Sequence, residues 1–284
     1  MRCCLAILAL CTSASALSAA DYRFAPGPGV GYLSETKQEV SWESAGDKLT
    51  FTSAIATTQA WKCLAVEGGT ARLEVAVVRV LAEQRGPGDQ HRLDSANPDT
   101  TNDPLLGHLV ALEGVPLTLL VEQTSGATRV SGGARIAAAI GKRAPNAIDP
   151  GGPSPLAQQA ATVYGDANLS RIWSQTLALP SAQPQQVPVG EPLSGTLTRT
   201  WSGDAYRLAG TISGTTVLTQ EPSRIAATVS DVSGDGATAL GSDGWPQTCS
   251  GTLRFTLTID AATQPVVQHH VVQWKLQRIA AEKQ

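Results

Sequence analysis

The chain has 284 residues, of which 42% are hydrophobic and 16% charged, and its formal net charge at pH 7 is -3. So small a charge, with no basic cluster, argues against nucleic acid as a partner. The hydrophobic content, together with abundant Thr, Val, Ala and Gly, is typical of an ordered β-rich chain and excludes a disordered one.

Residues 1–20 have the pattern of a signal peptide. A basic Arg2 precedes the apolar run Cys3 to Cys11, and Ser18 to Ala20 supplies small residues for cleavage before Asp21. We therefore expect an exported protein, periplasmic or secreted. No later stretch approaches the roughly 20 apolar residues of a membrane span, so we expect a chain that does not span the membrane. Leu10 before Cys11 argues against a lipid anchor.

Two cysteines, Cys63 and Cys249, remain after the predicted cleavage. In an oxidising compartment we expect them to form a disulfide bond. The bond would close a loop of about 186 residues and stabilise the fold by roughly 5 kcal/mol on the chain-entropy estimate. The alternative is two separate buried thiols.

The first half of the chain reads as strands. Alternating apolar residues predict strands over 31–42, 49–61 and 73–80, followed by a long polar surface loop over 85–104. Gly114 to Gly132 then predicts a β-hairpin, because Leu117, Leu119 and Val121 alternate with other residues before the turn Thr124-Ser125-Gly126.

Helical patterns follow, in the middle of the chain. We predict a short helix over 105–112 and another over 134–140. Ser154 is suited to cap a third helix, with Pro155 in its first turn. Apolar residues at helical spacing continue past Gly165 to Leu177, which indicates two helices or one kinked helix.

The second half returns to strands after a Pro/Gln-rich connector over 181–192. The strand patterns lead to a loop predicted over 231–244 and then to a hairpin over 251–276. In that hairpin Leu253, Phe255, Leu257 and Ile259 alternate with polar residues, which is the period of a strand with one buried face.

These elements predict a mainly β (α+β) fold with two pseudo-repeated curved antiparallel sheets, or half-barrels, and two or three helices inserted between them. The expected divisions are a signal peptide 1–20, a first β-rich half 21–132, a helical insert 133–180, the connector 181–192 and a second β-rich half 193–284.

Metal-binding patterns are few. His269 and His270 are adjacent on a predicted strand, so their side chains point to opposite faces and cannot share an ion. Asp231, Ser233 and Asp235 have the spacing of the opening half of a calcium loop. Ser242 stands where the bidentate Glu belongs, and a plain turn explains these residues equally well. We expect no metal site and no cofactor.

Catalytic signatures are absent from the sequence: there is no Gly-x-Ser-x-Gly, Walker loop or His-Glu-x-x-His. His91, Asp94 and Ser95 place the three triad residue types close together in the long loop. Nearness in sequence is not the geometry of a triad, and a capped turn accounts for the same residues. We therefore predict no catalytic residues.

Large apolar side chains are the remaining candidates for function. Trp245 follows Asp243-Gly244 and is expected at an exposed lip, whereas Trp173 and Trp274 lie on predicted elements and fit a core. We expect a hydrophobic ligand to be held by these three tryptophans together with Phe255 and Leu257.

Several tracts resemble an uncharacterised family of secreted bacterial β-rich proteins that is defined only as a domain of unknown function. The similar elements are Leu93-Asp94-Ser95, Leu109, the hairpin from Gly114 to Gly132, the tract from Val189 to Leu193, and Gly251 to Ile259. The resemblance implies a fold and export but no activity. By architecture the predicted sheets are similar to the half-barrels of envelope lipid and lipoprotein carriers.

The sequence thus predicts an exported, non-catalytic protein that binds a hydrophobic small molecule or lipid in the cell envelope. One alternative is a structural or assembly protein that contacts an envelope protein through its sheet edges. A third is an uncharacterised hydrolase.

Overall fold

The computed structural model describes residues 21–44, 47–143, 154–187, 194–213, 215–220, 223–259 and 265–280. The predicted signal peptide and the tract Val189 to Leu193 lie outside these residues. Directly after the predicted cleavage point, Tyr22 and Phe24 are buried in the main core.

The described residues form thirteen strands, which pair in one antiparallel sheet. Their bounds are β1 Val30–Ser44, β2 Asp47–Glu67, β3 Thr70–Arg85, β4 Gln90–Asp94, β5 Leu117–Glu122, β6 Thr128–Ser131, β7 Gln185–Val187, β8 Ser194–Ser202, β9 Ala205–Ser213, β10 Thr215–Gln220, β11 Ser223–Leu240, β12 Pro246–Ile259 and β13 Val266–Ile279. The strand order is β6-β5-β3-β2-β1-β13-β12-β11-β9-β8-β7, with β4 paired to β3 and β10 to β11.

The two β-rich halves join in the middle of this sheet, where β1 pairs with β13. Ser34 lies opposite Leu276 across that junction, and opposite Thr57 of β2 on its other side. The predicted mainly β fold with helices between two β-rich halves is confirmed, and the two sheets are continuous with each other. The residue limits predicted for the individual domains stay a prediction.

In the described part of the chain, three α-helices lie between the two β-rich halves in sequence, and one 3-10 helix lies within the first half, between β4 and β5. The 3-10 helix is Gly107–Leu112, and the α-helices are α1 Gly133–Arg143, α2 Pro155–Val163 and α3 Asp166–Thr176. As predicted, Ser154 caps α2: its hydroxyl accepts a hydrogen bond of 3.3 Å from the backbone N–H of Ala157. No helix in the described part of the chain has the length and apolar character needed to cross a membrane.

Helix α3 covers one end of the sheet. The Ser174 hydroxyl accepts from the N–H of Thr128 (2.8 Å), and the Ser170 hydroxyl accepts from the N–H of Val130 (2.8 Å). These two N–H groups belong to β6, the terminal strand. Because serine side chains occupy them, this edge of the sheet is closed to pairing with another strand.

The loop predicted over 231–244 is wrong for most of its length, since β11 runs on to Leu240. The strand passes through a bulge at Asp231, which has a φ of +53°, and its register with β12 shifts between Ser230 and Ser233. Gly234 and Gly236 read as loop residues, but both pair with β9 and with β12.

The predicted disulfide bond between Cys63 and Cys249 is absent from the structure, in which both residues are free, buried thiols. The register explains why. Cys249 lies opposite Leu276 of β13, and the same row continues through β1 to Thr57 of β2. Cys63 is therefore three strands and six residues away, which along the sheet is about 14 Å across the strands and about 20 Å along them. A disulfide needs Cα atoms within about 7 Å.

Each thiol has its own protein environment. The Cys63 sulfur lies 3.6 Å from the carbonyl oxygen of Ala65, and Cys249 contacts Tyr22 and Thr238. Burial raises the pKa of the Cys249 thiol to about 12 and also raises that of Cys63. Both residues thus act as small apolar core residues, which is the alternative that the sequence left open.

Candidate ligand-binding site

Strands β12 and β13 present alternate side chains to the face of the sheet on which α3 packs, which we call the inner face. The register pairs Leu253 with Val272 and Phe255 with His270. Since successive strand residues point to opposite faces, the apolar set falls on one side. The inner-face positions of the two strands are Gly251, Leu253, Phe255, Leu257, His270, Val272, Trp274 and Leu276.

A cavity of about 270 Å³ lies between this face and α3, and we call it the α3 cavity. Trp274, Leu253 and Val272 line it from the sheet, and Trp173 and Ile172 line it from the helix. Ile172 remains 44% exposed although it faces the sheet. The cavity therefore offers an apolar surface that folding leaves only partly covered.

Packing against the buried core fixes the position of Trp173. Its ring lies edge-on to the ring of Trp61, with 5.3 Å between centroids, and Trp61 is fully buried. Trp61 is itself oriented by a 2.9 Å hydrogen bond from its indole N–H to the side-chain oxygen of Gln59. The helix-side wall of the cavity is thus held by packing that is independent of any ligand.

The sheet-side wall depends on a glycine. Gly251 lies directly opposite Trp274, and a β-carbon at this position would collide with the Trp274 indole and with the Tyr206 hydroxyl. The absence of a side chain lets both aromatic residues lie against the backbone. Gly236 on the neighbouring strand accommodates the Tyr206 ring in the same way.

Beyond α3 the inner face continues as an aromatic surface. Phe255 stacks on His270 with 4.6 Å between ring centroids, and Trp42 stacks on Phe51 at 5.3 Å. Burial lowers the pKa of His270, and neighbouring His269 lowers it further. His270 is therefore neutral at pH 7 and belongs to the apolar surface.

Of the five residues predicted to bind a ligand, two line the α3 cavity: Trp173 and Trp274. Phe255 lies on the same face farther along β12, and Leu257 is buried in a second core that β12 forms with β7, β8, β9 and β11. Trp245 is only 6% exposed and packs edge-on against Phe24, at 4.8 Å between centroids. The prediction that it forms an exposed lip is therefore wrong.

The calcium-loop candidates lie on a strand instead of a loop. Asp231 is the bulge residue of β11, while Ser233 and Asp235 pair with Arg254 and Thr252 of β12. Asp235 forms an ion pair with Arg254 at 2.8 Å. Within the described ranges, no group of three or more His, Cys, Asp or Glu side chains is placed to hold a metal ion.

The three triad residue types in the predicted loop have separate partners. His91 contacts Asp103 at 2.9 Å, Asp94 pairs with Arg79 at 2.6 Å, and the Ser95 hydroxyl accepts from the N–H of Val80. The hydrogen bond from Arg79 lowers the pKa of Asp94. These contacts hold the turn after β4 and do not assemble a nucleophile with a base.

The described residues also form two open grooves that are larger than the α3 cavity. One, of about 400 Å³, is bordered by Glu83, Arg92 and Asp94, whose charges are already paired with one another or with neighbours. The other, of about 530 Å³, lies between β8, β9 and β11 and includes Arg207 and Asp235. Each groove has at least two charged residues in its lining, whereas the α3 cavity has one, Lys275, so the α3 cavity is the better site for a hydrophobic molecule.

Sequence reasoning missed Arg199 and Tyr206. Both are buried on the inner face beside the α3 cavity, on β8 and β9. A signal was available: Arg199 is in phase with Leu197 and Trp201, so a charged residue occupies the apolar side of a strand.

No protein-family model and no curated protein sequence matches the chain. The family resemblance suggested by the sequence thus stays a prediction.

Three solved structures show limited similarity. The structure titled "Lipid-protein interactions in lipovitellin" has 11% identity and a TM-score of 0.48, and the match covers 92% of this chain and 26% of that one. The translocator domain of autotransporter NalP from Neisseria meningitidis has 11% identity and a TM-score of 0.22 over 89% of both chains. MucB in complex with MucA(peri) has 8% identity and a TM-score of 0.17 over 87% of this chain and 94% of that one. This chain spans about a quarter of the lipovitellin chain, and these likenesses carry no argument about function.

Proposed function

We propose that this protein is an exported, non-catalytic binding protein that holds a hydrophobic ligand or lipid of the cell envelope in the α3 cavity. The observation that carries the proposal is the apolar lining of that cavity by Trp173, Trp274, Leu253 and Val272. Its volume of about 270 Å³ is close to the lower end of the roughly 300–1,000 Å³ typical of small-molecule sites.

The energetic reason is the partly exposed apolar surface of the cavity. Ile172 on the helix is exposed, and Trp274, Leu253 and Val272 on the sheet are each only half-buried. Each methylene of a ligand that enters contributes about 0.8 kcal/mol by leaving water. A chain of several methylenes therefore gains binding energy without any polar contact.

Assembly through the sheet edges is the second hypothesis from the sequence, and the β6 edge does not favour it. Ser170 and Ser174 occupy the outward N–H groups of Val130 and Thr128, so a further strand has no donors to bind there. The ligand-binding hypothesis is the one that the geometry supports best.

The test uses N-phenyl-1-naphthylamine, an uncharged dye that fluoresces in apolar surroundings. We expect saturable binding to the wild-type chain and an affinity at least about tenfold lower for Val272→Phe, because the larger ring fills the cavity. Val271→Phe is the matched control, since the adjacent side chain points to the opposite face. Equal binding by all three proteins, or none by the wild type, would contradict the proposal.

A further inference from the structure

Arg199 is a buried cation, and the described part of the chain supplies it with no counter-ion. It is only 5% exposed, on the inner face of β8. Among the described residues, no Asp or Glu lies within ion-pair distance of its guanidinium. Burial lowers the pKa of Arg199, but an arginine keeps its proton at neutral pH.

Among the described residues, one hydrogen bond of the Arg199 guanidinium is found and one buried N–H is left unpaired. One Nη2 N–H donates to the backbone oxygen of Gln175 at 3.3 Å, in the last turn of α3. The buried Nε has no hydrogen-bond partner in the described part of the chain. A guanidinium has five N–H donors, and burying unpaired ones costs free energy that a ligand can restore.

Tyr206, beside Arg199, is a second buried polar residue. The guanidinium of Arg199 lies 4.6 Å from the centroid of the Tyr206 ring and 5.9 Å from that of Trp201. The Tyr206 hydroxyl is buried and, like Nε of Arg199, lacks a partner among the described atoms. Burial raises the pKa of Tyr206 to about 12, so the hydroxyl is neutral at pH 7 and carries a proton to donate.

Shared neighbours connect these two groups to the α3 cavity. Gln175, which accepts from Arg199, also lines the cavity. The Tyr206 hydroxyl and the Trp274 indole lie against the same α-carbon, that of Gly251, and Trp274 lines the cavity too. Unsatisfied donors thus adjoin an apolar cavity.

We propose that Arg199 and Tyr206 bind the anionic head group of an amphipathic ligand whose hydrocarbon chain lies in the α3 cavity. This inference rests on the proposed function and adds the ligand class. A carboxylate or phosphate oxygen accepts from the guanidinium and from the phenolic O–H, and its charge neutralises the buried cation. Both head groups share this chemistry, so the test includes one ligand of each.

The test compares four twelve-carbon ligands as competitors of N-phenyl-1-naphthylamine: dodecanoate, dodecyl phosphate, dodecanol and dodecyltrimethylammonium. We expect wild-type protein to prefer an anionic ligand over dodecanol by at least about tenfold, and to bind the cation most weakly. The anion with the larger preference identifies the head group as carboxylate or phosphate.

Single-residue variants test which side chains cause the preference for an anionic ligand over dodecanol. Arg199→Met is expected to abolish this preference, so that the anionic ligands and dodecanol bind with similar affinities, and Tyr206→Phe is expected to reduce it. Arg207→Met, which removes an exposed arginine on the opposite face of β9, is the matched control and should keep it. Thermal melts check folding: without ligand Arg199→Met should be at least as stable as wild type, because an unpaired buried charge is removed.

The outcomes separate the two proposals. If neither the dye nor dodecanol binds the wild-type chain, the proposed function fails. If both bind but the preference is absent, or survives Arg199→Met, the head-group inference fails and the proposed function stands. A lowered melting temperature of Arg199→Met with an unchanged preference would make Arg199 a cap of α3 only, which also overturns the inference.

Discussion

Gly251 and Trp274 lie opposite each other on β12 and β13, and the indole of Trp274 occupies the space that a side chain at position 251 would need. This relationship places the indole against the backbone of β12, where Trp274 lines the α3 cavity. The shape of the cavity is therefore set by a residue that has no side chain.

Gly251→Ala tests this dependence. The added methyl group must displace Trp274 or Tyr206, so we expect a destabilisation of about 1–3 kcal/mol in urea unfolding and a weaker affinity for N-phenyl-1-naphthylamine. Gly27→Ala is the control, because a β-carbon there meets only the backbone oxygen of Ala25 at 3.9 Å. Equal stability and affinity of the two variants would show that Trp274 is not held in this way.

The serines of α3 provide a second prediction. The double variant Ser170→Ala, Ser174→Ala leaves the N–H groups of Thr128 and Val130 without their partners, at an expected cost of about 1–3 kcal/mol in the free energy of unfolding. The exposed Ser202→Ala should change it by less than about 0.5 kcal/mol. If the double variant matches wild type, α3 does not protect the sheet edge.

The two free thiols provide a third prediction. In the native protein we expect neither Cys63 nor Cys249 to react with a thiol reagent, because both are buried and burial raises the pKa of each. In denaturant without reductant, both should be labelled, so a chain that begins at Asp21 and lacks the other three cysteines should give two adducts by intact mass. Labelling that requires reductant would instead demonstrate the disulfide bond expected from the sequence.

Alkaline pH should weaken the fold partly through Cys249. Burial raises the pKa of this thiol from about 9 to about 12, so the native state favours the neutral form. This contribution is complete below pH 9, the unfolded value, and is lost as the pH rises toward 12. We expect the free energy of unfolding of Cys249→Ala to decline less steeply above pH 9 than that of wild type.

The comparison at neutral pH is the control for that measurement. Between pH 6 and 8 the thiol is neutral in both states, so the two proteins should differ only by a constant offset from the lost side chain. If the free energies of unfolding of the two proteins still differ by the same constant above pH 9, the thiol has the same pKa in the folded and the unfolded chain, which contradicts the prediction.

The sequence predicts the elements that depend on local residue patterns. The alternation of Leu253, Phe255 and Leu257 predicted β12 and its buried face, and Ser154 followed by Pro155 predicted the start of α2. In both cases the signal lies within a few residues of the element it determines.

The sequence does not predict features that depend on residues far apart in the chain. Gly234 and Gly236 look like loop residues, yet β11 uses Gly236 to accommodate the Tyr206 ring of another strand. Whether Cys63 and Cys249 are close enough to form a disulfide bond depends on the order of β1, β2 and β13 in the sheet, and no local pattern encodes that order. The sequence shows Arg199 as a charged residue in phase with apolar ones, but only the assembled fold shows that no acidic side chain among the described residues pairs with it.

The central claim is that a hydrocarbon chain occupies the α3 cavity, and locating a brominated chain tests it most directly. Crystals grown with 11-bromoundecanol should show the anomalous bromine signal between α3 and strands β12 and β13, adjacent to Trp173 and Trp274. A signal confined to the grooves at Glu83 or Arg207, or no bound bromine at saturating ligand, would contradict the account.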